Sequence, residues 1–172
     1  MPAMNDLPSL ATLGARVGSL LRERGETVAV AESAAGGLVS AALLAVPGAS
    51  AYYKGGAVVY SHRAGRALMG FTREDMEGIR GETEPYARLV ADRIRTLHHS
   101  TWGLGESGAA GPSDSPYGDP AGRVCLAVVG TSTNSRVIET GGAERAANMD
   151  LFARHLLQLF EGCLMRDTLR SV

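Results

Sequence analysis

Apolar side chains at Leu10, Leu13, Val17, Leu20 and Leu21 recur with the spacing of one helical face, with Pro8 ahead of them and Gly25 just past the end. That pattern predicts a first helix. Residues 27–31 (TVAVA) are short, apolar and β-branched, and predict a buried strand. The strand runs into Glu32-Ser33-Ala34-Ala35-Gly36-Gly37 and then into residues 38–44, a small-residue apolar helix closed by Pro47-Gly48. A second strand is predicted over 56–60 (GAVVY). The span between the two strands is long enough for a helical crossover, which favours a parallel pair.

Further along, Thr72 and Asp75 have the spacing of a capping box opening a short helix. Thr83 and Pro85 start a longer helix whose core face would be Tyr86, Leu89, Val90, Ile94 and Leu97. Residues 101–105 (TWGLG) are a weaker strand candidate ending in Glu106-Ser107-Gly108-Ala109-Ala110-Gly111-Pro112, and 113–121 read as a loop. Two adjacent strands, 124–129 and 136–139, flank a turn over 130–134. A final helix carries Met149, Phe152, Leu156, Phe160 and Cys163 on one face. Helix and strand alternate without a break in composition. The expectation is a single α/β domain over 1–172, with its core about 10–165. It would have three layers, α/β/α, around a mixed, largely parallel sheet.

Composition narrows the possible functions. With 45% hydrophobic residues and a net charge of −1, the chain is neither disordered nor built as a nucleic-acid binder, which would show a basic stripe. A small anionic substrate remains compatible, because helix ends and a few arginines suffice to hold one. Cys125 and Cys163 have no CxxC partner and read as buried free thiols in a reducing compartment. No signal-peptide pattern opens the chain and no apolar run reaches the ~18 residues of a membrane span, so a cytoplasmic protein without membrane contact is expected.

Two segments echo each other. Each follows a strand and reads Glu-Ser and then small residues: Glu32-Ser33-Ala34-Ala35-Gly36 and Glu106-Ser107-Gly108-Ala109-Ala110-Gly111. In open α/β sheets ligands bind where strand ends lead into helices, and small residues there let backbone N–H groups approach an anion. Ser33 and Ser107 are therefore either helix caps or functional hydroxyls. His98, His99 and His155 read as structural, whereas His62, just past the second strand, would lie near Ser33 if the first two strands are parallel.

Several separated motifs then carry a family resemblance. Glu32-Ser33-x-x-Gly36-Gly37, Val46-Pro47-Gly48-x-Ser50 and Gly55-Gly56-x-Val58-x-Tyr60-Ser61 are similar to the CinA C-terminal domain family. The match continues at Ala64, Leu68 and Gly70, then at Ser107-Gly108-x-Ala110-Gly111-Pro112 and Pro120-x-Gly122. The resemblance implies a metal-independent, cofactor-free amidohydrolase that converts nicotinamide mononucleotide to the nicotinate nucleotide and ammonia, and a homodimer. It places the nucleophile on Ser33, with Tyr60 relaying the proton. Backbone amides around Ala34, Gly36 and Gly37 would then hold the oxyanion. Ser107, Gly108 and Gly111 would bind the phosphate or ribose.

The chain departs from that family at both strand ends. Ala34-Ala35 stand where the family usually has Cys-Thr, and Gly65 stands where it has an assisting lysine. Pro112-Ser113-Asp114-Ser115 replace a glycine-rich loop, and Glu106-Ser107-Gly108 replace an apolar-Thr-Gly segment. Lys54, the only lysine, lies about 20 Å along the strand from Tyr60 and is a poor substitute. Arg63 and Arg66 stay charged and cannot act as bases, which leaves Glu32, Glu106 and His62 as candidates. Two alternatives to the amidase follow: a nucleotide-binding or regulatory protein that kept the pocket and lost the chemistry, or a hydrolase of another small amide.

Overall fold

The computed structural model describes residues 6–170, with side chains through 167. Five strands form one sheet in the order β2-β1-β3-β4-β5: β1 (Val28–Glu32), β2 (Tyr53–Val58), β3 (Trp102–Gly108), β4 (Arg123–Val129) and β5 (Thr133–Glu139). The pairs β1–β2 and β1–β3 are parallel, and β3–β4 and β4–β5 are antiparallel. The sheet is thus mixed, with β4 alone running against the other four strands.

Alternation along the strands divides the core in two. Val28 and Val30 of β1, Trp102 and Leu104 of β3, and Val124, Leu126 and Val128 of β4 pack with helices α1 (Leu10–Arg24), α2 (Leu38–Leu44) and α5 (Arg145–Arg170). Ala29, Ala31, Cys125, Ala127 and Val129 face the other way, toward α3 (His62–Met69) and α4 (Glu84–Leu97). The period of two in strands produces this division. It also places Cys125 and Cys163, both buried, on opposite faces of the sheet.

Helix ends follow the signals in the chain. Ser9 caps α1 by accepting from the Thr12 amide, and Gly25 closes it in the left-handed conformation at φ 63°. Thr83 caps α4, with Pro85 in its first turn. The packing face of α4 differs from the expected one. Ala87, Val90, Ala91 and Ile94 are buried, while Leu97 is half exposed. The reason lies on β3, where Gly103 and Gly105 have no side chain and the α4 backbone rests directly on the strand. A Cβ on Gly105 would lie within 2.9 Å of the Ala91 nitrogen.

Other boundaries move. Strand β2 begins at Tyr53 rather than 56 and ends at Val58, so Tyr60 lies beyond it. Thr72 and Asp75 exchange the reciprocal bonds of a capping box, Thr72 N–H to Asp75 at 2.9 Å and Asp75 N–H to Thr72 at 3.1 Å. They open a turn over 73–78 rather than a helix. The segment Glu106-Ser107-Gly108, expected to follow the strand, belongs to β3: Ser107 pairs with Cys125 and Gly108 with Val124, because the antiparallel ladder with β4 carries the strand further.

Candidate active site

All three parallel strands end on the same side of the sheet, and the chain leaving each contributes to one cleft. Its volume is about 520 Å³, and its walls include Ser33, Tyr60, His62, Glu82, Ser107 and Arg145. Ser33 follows β1, and Tyr60 stands two residues past β2 with 66% of its surface exposed. Ser107 is the penultimate residue of β3, and Arg145 is the first residue of α5. Residues 108–117 complete the wall.

Of the residues singled out in the sequence, Ser33, Ala34, Tyr60, Ser107, Gly108 and Gly111 all border this cleft. Gly36 and Gly37 lie outside its wall, on the turn that leads into α2. His62 stands on the boundary with a second cleft of about 880 Å³, which takes in Gly65, Arg66, Phe71 and Tyr86 but neither Ser33 nor Tyr60. The larger space is therefore not where the two candidate catalytic groups meet. Lys54 sits at the start of β2, at the far end of the strand, and does not reach the cleft.

The turn after β1 is built differently from the expected anion cradle. Glu32 and Glu106 project from the same face of adjacent strands, one position past the Ala31–Gly105 pair, and both are 1% exposed. Glu32 caps α2: Oε1 accepts from the Gly37 amide at 3.1 Å and the Val39 amide at 2.9 Å, and Oε2 accepts from the Ser40 amide at 2.9 Å. Oε1 of Glu106 accepts from the Ser33 amide and, at 2.9 Å, from the Ala35 amide. The Gly36 amide closes the turn on the Ser33 carbonyl at 3.1 Å. The amides of Ser33, Ala35, Gly36 and Gly37 are thus turned inward onto protein acceptors rather than outward toward an oxyanion. Ser33 is not a helix cap; Glu32 performs that task from five residues before Gly37. The Ser33 hydroxyl makes no hydrogen bond among the described residues and remains available to the cleft.

Charges in the cleft come partly from residues that sequence reasoning passed over. Arg145 donates to the Gly111 carbonyl at 2.6 Å and to the Tyr60 hydroxyl at 3.2 Å. Glu144 holds the start of α5 by accepting from the Ala146 amide at 3.1 Å and from the Ala147 amide. Glu82 adopts φ 60°, a left-handed conformation uncommon for a side-chain-bearing residue. Its amide donates to Ser107 Oγ at 3.0 Å, and its carbonyl accepts from Arg123 at 2.9 Å. Burial raises its carboxyl above the ordinary range. Asp119 anchors the 113–121 loop: Arg80 pairs with both its oxygens at 2.8 and 3.2 Å, and Ser115 Oγ donates to it at 3.0 Å. No periodicity marks Arg145; only the topology brings it beside Tyr60. Glu82 could have been noticed as the residue just before the Thr83 cap.

Known proteins match this arrangement. Residues 10–164 fit the model of the CinA C-terminal domain. A CinA-like protein of Synechococcus sp. (strain CC9902) is 40% identical over 134 residues, 78% of this chain. A CinA-like protein of Anaeromyxobacter sp. (strain K) is 39% identical over 125 residues. The chain spans about a third of these relatives' length, 32% and 31% respectively. Among solved structures, a Competence-Damaged Protein (CinA) superfamily protein from Klebsiella pneumoniae 700603 superimposes with a TM-score of 0.86 at 26% identity, covering 92% of this chain and 99% of that one. The competence-damaged protein (CinA) superfamily protein from Enterobacter cloacae gives 0.83 at 26% identity, covering 91% of this chain and 92% of that one. With the family model matching residues 10–164, a relative 40% identical over 78% of the chain and a shared fold, the chain belongs to the CinA C-terminal domain family.

Proposed function

We propose that the protein is a serine-dependent amidohydrolase acting on the carboxamide of a nicotinamide-type nucleotide, a small anionic substrate. The observation that supports this most is the meeting of Ser33 and Tyr60 in one cleft, with Arg145 bonded to the Tyr60 oxygen. Because Arg145 donates to that oxygen, the phenolic proton is free to point at a substrate atom. The Ser33 hydroxyl attacks the carboxamide carbon, and its proton passes through Tyr60 to the amide nitrogen. Ammonia leaves, and water then cleaves the serine ester to release the acid. With the turn amides engaged by Glu32 and Glu106, charge on the attacked oxygen falls to the Arg145 guanidinium, which also suits a phosphate. The same reading includes a homodimer, checked by light scattering at twice the chain mass of 18.0 kDa.

One observation favours a second reading, a nucleotide-binding protein without turnover. The amides that commonly stabilise an oxyanion are occupied, and no lysine borders the cleft. Ammonia release from nicotinamide mononucleotide, measured beside Ser33→Ala, separates the two. Turnover that disappears in the variant supports the amidase. Turnover that survives removes Ser33 as nucleophile. Thermal stabilisation by the nucleotide with no ammonia supports the binder.

A further inference from the structure

Beneath the candidate nucleophile lies a carboxyl group for which the reaction just described has no use. Oε1 of Glu106 takes both the Ser33 and Ala35 amides, while Oε2 is buried and has no hydrogen-bond partner among the described residues. Glu32 on the adjacent strand, facing the same way, has donors on both oxygens. Among titratable groups, Glu32 of β1 lies beside Glu106 on the same face of the sheet, and Tyr86 of α4, which packs on the other face, interacts with it only through charge. Neither glutamate makes an ion pair among the described residues. When two carboxyls share a buried site, like charge disfavours ionising both, and the proton settles on the one with an oxygen that no donor reaches.

We propose that Glu106 is a positioning residue acting through the main chain of Ser33. Its ionised form holds the Ser33 and Ala35 amides firmly and presents the serine hydroxyl to the cleft, and its protonated form relaxes that hold. For its effect on turnover this role rests on Ser33 being the nucleophile; the coupling of Glu106 to the turn does not. The proton has a clear place to go, since Oε2 is the oxygen with no donor. Oε1 then becomes the carbonyl oxygen of a neutral acid, and its bonds to the two amides lose their charge assistance, which roughly halves the strength of such bonds. Burial, more than any other cause, pushes this carboxyl up to about 7, so the change falls in the neutral range.

The test uses the full chain, ¹⁵N-labelled, with the Ser33 and Ala35 amide resonances followed between about pH 5 and about pH 9. Both should move with a shared midpoint near pH 7. In Glu106→Gln, which holds the neutral form permanently, both should stay still. The kcat for ammonia release from nicotinamide mononucleotide should rise through the same midpoint. Glu106→Gln should lose that rise and run about tenfold slower above it, with KM changed less than about twofold. Amides that do not titrate, or a kcat indifferent to pH where the amides do titrate, overturn the role. Both of those outcomes are read on the wild type, so the test does not depend on the variant folding. Titrating amides with no ammonia at any pH keep the coupling and remove the amidase reading, so the two fail separately.

Discussion

The carboxyl of Glu106, on β3, accepts the backbone N–H of Ser33, 73 positions earlier in the chain. The candidate nucleophile is therefore held by a strand other than the one it follows. This contact also makes stability depend on pH. Burial raises the folded-state carboxyl from the ordinary 4.5 to about 7. Between those values the unfolded chain gives up the proton while the folded protein keeps it. Stability attributable to this group is therefore lost as pH rises through that window, and levels off above it, by about 3 kcal/mol at most. Urea denaturation of wild type and Glu106→Gln across the window should give a difference curve that slopes downward and then flattens. A flat difference would refute the raised carboxyl.

Arg145 ties three parts of the cleft together: the start of α5, the Gly111 carbonyl at 2.6 Å and the Tyr60 hydroxyl at 3.2 Å. Arg145→Ala should raise KM for the nucleotide roughly tenfold and lower kcat as well, with little change in melting temperature. Arg145→Lys should recover only part of the loss, because a single ammonium cannot reproduce the fork of a guanidinium. Steady-state kinetics of ammonia release, with a melt of each variant, decide the matter.

Two glycine substitutions should have opposite signs. In Gly105→Ala the new methyl meets the α4 backbone at the Ala87 carbonyl and the Ala91 nitrogen, and neither can yield without moving the helix. About 1–3 kcal/mol of destabilisation is expected. In Gly162→Ala, inside α5, the nearest atom is the end of the flexible Arg166 side chain at 3.5 Å. There the gain in helix propensity should stabilise the protein by up to about 1 kcal/mol. Chemical denaturation of both variants checks the pair.

Asp119 organises the 113–121 loop through Arg80, Ser115 and, at 3.4 Å, Arg123. The hydrogen bond from Arg80 is the main reason its carboxyl lies below the ordinary range. Its stabilising effect is therefore present at neutral pH and fades only in acid, as pH falls through that lowered value. Asp119→Ala should leave the sheet intact and speed proteolytic cleavage within 113–121, read by mass spectrometry of limited digests.

Much of the scaffold could be read from local signals. Pro8, Gly25, Thr83 and Pro85 act at short range: α1 begins just past Pro8 and stops at Gly25, and α4 begins at Thr83 and Pro85. The second strand and the end of β3 were less legible, because strand limits depend on what pairs alongside. Gly108 is in a strand only because Val124 lies opposite it. The two Glu-Ser segments were visible as an echo, but what their glutamates do was not. Spacing alone suggests amides open to an anion, whereas period-two alternation across two neighbouring strands turns both carboxyls into that same turn. Arg145 was illegible for a related reason: its partner Tyr60 lies 85 positions away, and only the packing of α5 brings them together.

The make-up of β3 has a consequence for how the site comes into being. Three of its seven residues are glycine, and a fourth is the buried Glu106, a poor recipe for an extended segment by itself. It lies in the middle of the sheet only because β1 flanks it on one side and β4 on the other. Its formation is thus cooperative with both neighbours and cannot precede them. A partly folded chain would have Ser33 in its sequence but no carboxylate beneath it and no cleft around it. The cleft and the fold would then be completed in the same step, leaving no half-assembled intermediate that holds the candidate site.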